Sequence, residues 1–162
     1  MTNKLESLQK NCIKWILSEE FLSYSSLDIY IQKCLQVNLL PLAKRFELND
    51  LILFHKIYYN LIPIDLPDYL SEYNENSRYR LRSSHLDSLS IVCNLEAARL
   101  SEVYLKKSFF YRTHTEWNAL PLEIRQTTCP FSFKREVIKH LWKSVLEELN
   151  DSDEEIDLPD ND

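Results

Sequence analysis

The chain has 162 residues, of which 44% are hydrophobic, and it contains no glycine. Phosphate-cradling loops, tight hairpins and nucleophile elbows depend on backbone angles that glycine adopts easily, so this composition argues against P-loop, Rossmann-type and hairpin-rich β folds. The net charge of −6 is uneven, because seven acids and no base follow residue 149, whereas 12 bases and 8 acids lie within 78–148.

The first predicted element is a helix over residues 4–18. Its apolar residues recur at steps of three, four, three and one, which is the spacing of one helical face. The residues on this face are Leu5, Leu8, Cys12, Trp15 and Ile16.

Two further helices are predicted before residue 60. Residues 26–37 form the second helix. The third begins at Pro41, because the missing N–H group of proline costs nothing at the first helical position, and it runs to about Tyr59. A short additional helix is expected to start at Pro67.

A polar stretch over 71–88 is predicted to be a long exposed loop. It contains Arg78, Arg80 and Arg82 at alternating positions, so an extended backbone would place the three guanidinium groups on one side. Such a row can hold phosphate groups. A solvated, salt-bridged loop explains the same pattern, and the residues alone do not decide between the two interpretations.

The second half of the chain is predicted to be helical after a short strand at 88–93. Residues 96–106 and 107–118 form two helices. A last helix begins with Thr128 as N-cap and Pro130 just inside, and Phe131 and Phe133 are among its apolar residues. The acidic composition from Asn150 onward predicts a disordered tail. We therefore expect a mainly α fold. It would form one helical domain of about six to seven helices over residues 1–149, carry a long basic loop, and end in a disordered acidic tail over 150–162.

A second basic run consists of Lys106, Lys107 and Arg112, with aromatic residues between them. Aromatic and basic side chains together can bind nucleic acid by stacking and by contact with phosphate. At helical spacing, however, Phe109, Phe110 and Trp117 are more typical of a core, and we expect Trp117 to be buried.

The sequence shows no constellation that predicts catalysis. It lacks an HExxH motif, an adjacent aspartate pair and a CxxC pair, and its four histidines are expected at the surface or at the edge of the core. We expect no catalytic residue, no bound metal, no cofactor and no small-molecule substrate. No apolar run is long enough to cross a membrane. The first 15 residues do not resemble an export signal, so we expect an intracellular protein, nuclear or cytoplasmic.

Several stretches in collinear order resemble the region that follows the catalytic palm of LINE-type (non-LTR) retrotransposon reverse transcriptases of the jockey and chicken-repeat kind. The resemblance covers roughly residues 5–142. Its matching segments are Leu5–Lys10 with Lys14–Leu17, Leu39–Leu42 with Arg45, Asp50–Leu51 and Phe54–Ile57, Arg80 with Arg82, Ser83 and His85, Ser108–Arg112, Trp117–Pro121 with Ile124–Arg125, and Ser132–Lys134.

The resemblance implies a thumb-like and post-thumb helical region that helps to hold RNA or DNA. The matching positions for nucleic-acid binding are Arg78, Arg80, Arg82, Lys107 and Arg112. The family's metal-binding aspartate pair has no counterpart here, so its polymerase activity does not carry over. Two other hypotheses remain open: a protein-interaction module whose acidic tail binds a basic partner, and a decayed retroelement relic that does not bind nucleic acid.

Overall fold

Helices make up most of the structure. The computed structural model describes residues 2–18, 27–73, 89–94 and 102–153. The elements within these ranges are α1 (Thr2–Ile16), α2 (Leu27–Gln36), α3 (Leu42–Tyr58), β1 (Leu70–Glu72), β2 (Ile91–Cys93), α4 (Glu102–Leu105), α5 (Phe109–Ala119), α6 (Leu122–Arg125) and α7 (Pro130–Asp153). The predicted mainly α fold class is thereby confirmed, and the short strand predicted at 88–93 is present as β2.

Three of the helices are followed by a residue in the left-handed conformation that glycine most often adopts at a helix end. Ser18, Asn38 and Asn60 follow α1, α2 and α3 and have φ angles of 55°, 52° and 53°. Asparagine tolerates this left-handed conformation better than most residues, because its short polar side chain bonds locally. After Asn38 the backbone N–H of Leu39 donates to the carbonyl of Cys34 at 2.9 Å, which satisfies one of the carbonyl groups at the helix end.

The residues group into two compact units. The predicted division into a domain over residues 1–149 and a tail over residues 150–162 stays a prediction. Unit 1 consists of residues 1–46 and 139–162, and unit 2 consists of residues 47–138. Each unit has buried residues of its own.

The core of unit 1 brings together three helices. Its buried members come from α1, α2 and α7, and they are Ile13, Tyr30, Ile31, Cys34 and Val145. Partly buried residues surround them, namely Leu17, Val37, Leu39, Trp142 and Leu149. Burial of each large apolar side chain stabilises this unit by roughly 1.5–3 kcal/mol before entropy losses.

A hydrogen-bond network lies beside this core. The side-chain amide of Gln9 donates to the hydroxyl of Tyr30 at 3.0 Å and to the carbonyl of Leu40 at 3.0 Å. The Tyr30 hydroxyl donates to the carboxylate of Glu6, and Arg45 donates to the Gln9 carbonyl oxygen at 3.1 Å. Burial, together with the bond to Glu6, raises the pKa of Tyr30 far above its usual range. These bonds satisfy polar groups that would otherwise be costly to bury.

The apolar face that the sequence indicates on α1 points to solvent. Leu5, Leu8, Trp15 and Ile16 are 45%, 59%, 78% and 63% exposed, and Cys12 is also exposed. The buried side of the helix is the neighbouring one, which carries Gln9 and Ile13. The spacing therefore predicted the helix correctly, but it did not indicate which of two adjacent faces the core covers.

The core of unit 2 is aromatic and centres on Trp117, which is fully buried as predicted. Its ring lies 5.4 Å from that of Phe54, 5.0 Å from that of Tyr58 and 5.9 Å from that of Phe133, measured between centroids. Aromatic pairs at such distances add roughly 0.5–1.5 kcal/mol beyond area burial.

The two strands pair antiparallel, with Leu70 opposite Cys93 and Glu72 opposite Ile91. Asn118 of α5 pairs with β2 through its side chain, which accepts from the N–H of Ile91 at 2.8 Å and donates to the Ile91 carbonyl at 2.7 Å. A two-stranded ribbon is marginal in isolation, so these bonds help to hold it on the helices.

Four predicted details differ from the structure. The third helix begins at Leu42, one residue after Pro41. No helix starts at Pro67; the chain makes a turn there and enters β1, so Ser71 and Glu72 belong to a strand rather than to the predicted loop. The last helix continues to Asp153, past the predicted start of the acidic tail at Asn150, and residues 154–162 lie outside the described residues.

Candidate nucleic-acid interface

The arginine row that the sequence favoured most lies outside the described residues. Arg78, Arg80 and Arg82 all fall between residues 73 and 89. Of the five predicted nucleic-acid-binding residues, Lys107 and Arg112 are described, and both belong to unit 2.

Arg112 is engaged with carboxylates. Its guanidinium donates two hydrogen bonds to Asp50, one of them from Nε at 3.1 Å, and Nε also lies 3.9 Å from a carboxylate oxygen of Glu116, one helical turn away. The Arg112 side chain is 48% exposed. A phosphate would have to compete with Asp50 for the same donors, so this residue is a weaker candidate for binding than its sequence context indicated.

Lys107 lies in the turn that joins α4 to α5, and it is exposed. The backbone N–H of Lys107 donates to the carbonyl of Tyr104 at 3.2 Å and closes this turn. Ser108 then caps α5 by accepting from the N–H of Tyr111 at 3.3 Å. The ring of Tyr104 is 74% exposed, so an aromatic ring and a lysine lie three residues apart at the surface.

A second pairing of aromatic and basic side chains lies at the start of α7. Phe131 is 87% exposed, and Lys134 and Arg135 follow it by three and four residues, so the three share one helical face. Arg135 bonds to its neighbour Glu136 at 3.3 Å, but its side chain is 70% exposed. Such an exposed pair is worth little and can exchange partners easily. We call Phe131, Lys134 and Arg135 the Phe131 surface.

The sequence counted Phe131 among the apolar residues of the last helix and missed its exposure. The spacing of the buried residues along α7 shows which way Phe131 faces. The buried residues Phe133, Val137, Leu141 and Val145 recur every four positions. Phe131 precedes Phe133 by two residues, about 200° around the helix, and must therefore face away from that buried row.

The first turn of α7 is capped by Cys129 rather than by the predicted Thr128. The backbone N–H groups of Ser132 and Phe131 bond to the Cys129 sulfur, and these bonds lower the pKa of its thiol, which is exposed. A helix N-terminus favours a negative charge, so the position stabilises the thiolate.

In the segment Trp117–Pro121 with Ile124–Arg125, which is part of the resemblance, Trp117 and Arg125 stabilise the fold. The indole N–H of Trp117 donates to the carbonyl of Leu89 at 2.9 Å. The buried Arg125 donates to the carbonyl of Leu120 at 3.0 Å and to the hydroxyl of Ser90 at 3.1 Å. These side chains anchor the segment before β2 on α5 and α6, so they are engaged in structure rather than available to a ligand.

His55 is completely buried, so the prediction of a surface or core-edge position was wrong for this residue. One ring nitrogen, Nε2, lies 2.7 Å from the carbonyl of Thr127, and the ring stacks on Phe133 at 4.1 Å between centroids. Burial lowers the pKa of His55, whereas the Thr127 bond acts in the opposite direction. A ring enclosed in this way supports the core and has no access to substrate.

Within the described ranges, no three His, Cys, Asp or Glu side chains are grouped so that they could hold a metal ion. In the same part of the chain, no helix combines the length and the apolar character needed to cross a membrane. Comparison of the chain with protein-family profiles, with curated proteins and with solved structures gave no match.

Proposed function

We propose that this chain is a noncatalytic helical module related to the C-terminal region of a LINE-type reverse transcriptase, and that it binds nucleic acid through the basic second half of its sequence. The observation that carries the proposal is the Phe131 surface. The Phe131 ring is 87% exposed and therefore accessible to a base, and two cationic side chains lie beside it on the same helical face.

The chemistry of this surface fits a single strand. A base stacks on the phenylalanine ring while Lys134 and Arg135 contact the phosphates on either side. Tyr104 and Lys107 repeat the same combination elsewhere in unit 2. The collinear resemblance and the surplus of four bases over acids within 78–148 support the same function.

The test is fluorescence anisotropy with a labelled single-stranded RNA, an RNA hairpin and a matched DNA duplex across a salt series. We expect the affinity to fall as salt rises, since phosphate contacts release counterions. Phe131→Ala should weaken single-strand binding about tenfold, because loss of one stacked base costs roughly 1–3 kcal/mol. Its folding should be nearly unchanged, because the ring is already exposed.

Arg135→Ala has a matched control in Lys143→Ala. Both residues lie on α7, both are largely exposed, and each forms an ion pair with a nearby glutamate. Each substitution removes one positive charge, so a general charge effect would weaken binding equally in both variants. We expect a larger loss for Arg135→Ala. Equal losses, or no binding by the parent protein at low salt, would remove the Phe131 surface from consideration.

A further inference from the structure

The exposed apolar face of α1 is the largest unexplained feature of unit 1. Leu5, Leu8, Cys12 and Trp15 follow one another at steps of three, four and three, the spacing by which a helix packs against another chain segment. All four are exposed. Apolar side chains that lie next to one another on an exposed helix face provide a surface on which another segment can pack.

A shallow groove of about 410 Å³, largely open to solvent, borders this face. The described residues that line it are Leu8, Asn11, Cys12, Lys14 and Trp15. Its size suits a few side chains of a peptide segment.

The charge on this side of α1 is positive. Lys4 is exposed and Lys14 lines the groove. The acid of the helix, Glu6, is turned inward, where it accepts from the hydroxyl of Tyr30 and, at 3.4 Å, from the N–H of Leu42. An occupant with apolar side chains and negative charge therefore complements the face, whereas a second copy of α1 would bring lysines together.

We propose that the occupant is the chain's own C-terminal segment, residues 154–162. This segment carries five acids and no base, and its apolar residues are Ile156 and Leu158. In an extended conformation, which Pro159 favours for the residue before it, these two side chains project to one side and Asp157 to the other. The apolar pair enters the groove, and the carboxylate of Glu154, which projects to the same side as Ile156 and Leu158, faces the lysines of α1.

The segment starts close enough to reach the groove. Val145 of α7 belongs to the same buried cluster as Ile13 of α1, and Leu149 packs against that cluster. The segment begins just after Asp153, one helical turn past Leu149. Nine extended residues span up to about 30 Å, and α1 itself is about 22 Å long at 1.5 Å per residue.

The experiment uses the full chain and measures how fast iodoacetamide alkylates Cys12, which lines the groove. Peptide mass mapping reports each cysteine separately, so the exposed Cys129 in unit 2 serves as an internal control. The test variant is Ile156→Ser with Leu158→Ser, and Asn161→Ser is the matched control within the same segment. If the segment covers the groove about nine-tenths of the time, the test variant should alkylate Cys12 about tenfold faster.

In the parent protein the rate at Cys12 should also rise with salt, because screening weakens the contact between carboxylates and lysines. The rates at Cys129 and in the Asn161→Ser variant should stay at the parent value. Equal Cys12 rates in the parent and the test variant would overturn the proposal. A parent rate that falls as protein concentration rises would overturn it as well, since the occupant would then be a second copy.

Discussion

Replacing Trp117 tests the aromatic core of unit 2 most directly. The side chain is fully buried, packs against the rings of Phe54, Tyr58 and Phe133, and donates its N–H to the carbonyl of Leu89. Truncation to alanine removes the apolar contacts, which costs about 3–5 kcal/mol. The Leu89 carbonyl also loses its partner, which adds roughly 1–3 kcal/mol where water cannot replace it.

The sum approaches the total stability of about 5–15 kcal/mol that is common for a domain, so Trp117→Ala should leave unit 2 barely folded. Trp117→Phe separates the two contributions, because it retains most of the ring and removes only the donor and some volume. We expect it to cost about 1–3 kcal/mol. Chemical denaturation followed by circular dichroism measures both variants.

Phe131→Ala is the control, since Phe131 is also aromatic and is 87% exposed. Its free energy of unfolding should change by about 0.5 kcal/mol or less, as for most surface substitutions. If Trp117→Ala and Phe131→Ala had the same small effect, the central position assigned to Trp117 would be wrong. If Trp117→Phe were as damaging as Trp117→Ala, the hydrogen bond rather than packing would dominate.

Three further predictions follow from single contacts. Burial lowers the pKa of His55, so the folded state prefers the neutral ring. The contribution of this residue to stability should be complete above about pH 6.5, the usual pKa of histidine in an unfolded chain. It should decline as the pH falls below that value, because the unfolded state then binds a proton more readily than the folded state. Urea titrations should show that the free energy of unfolding falls more between pH 7.5 and pH 5.5 in the parent protein than in His55→Phe. Equal decreases in the two proteins would contradict the argument. Cys129 should react with iodoacetamide at pH 7 before the buried Cys34, whose pKa burial raises, and unfolding in urea should abolish the difference. A double-mutant cycle between Arg112 and Asp50 should give a coupling of about 1 kcal/mol or less that shrinks with salt, and a salt-independent value would show a pair more enclosed than the structure indicates.

Helical spacing predicted most of the secondary structure, because it reports local preference. The bounds expected for the first three helices differ from those observed by one or two residues. The same spacing placed Trp117 in the core correctly, since the residues around it along α5 are more polar. On α1, however, apolar residues cover two adjacent faces. Only the position of α2 and α7 decides that Ile13 is buried and Leu8 is not.

Strand β1 could not be predicted from any local sequence pattern. Leu70, Ser71 and Glu72 have little strand character, and Pro67 suggested a helix start. The segment becomes a strand because Ile91–Cys93, about twenty residues later, supplies its hydrogen-bond partners. Contacts between distant residues decide such short pairings, as they also decide that Arg112 meets Asp50, 62 positions away.

For the candidate interface, the sequence identified the basic half but not its arrangement. The resemblance assigned Arg112 to nucleic acid, and the structure pairs it with Asp50. Phe131 belonged to an apolar helix pattern, and its exposure becomes visible only once the phase of the buried row in α7 is fixed. The relationship to reverse transcriptases stays a prediction.

The left-handed residues that follow the helices limit which amino acids can replace them, although their exposure alone would suggest that most replacements are tolerated. Asn38 and Asn60 are both exposed, and a surface position usually accepts nearly any residue. Their left-handed backbone angles exclude β-branched side chains such as valine and isoleucine, whereas glycine fits without strain. In a saturation-mutagenesis map these two asparagines would therefore stand out as restricted sites on an otherwise permissive surface, and the restriction would reflect chain geometry rather than any ligand.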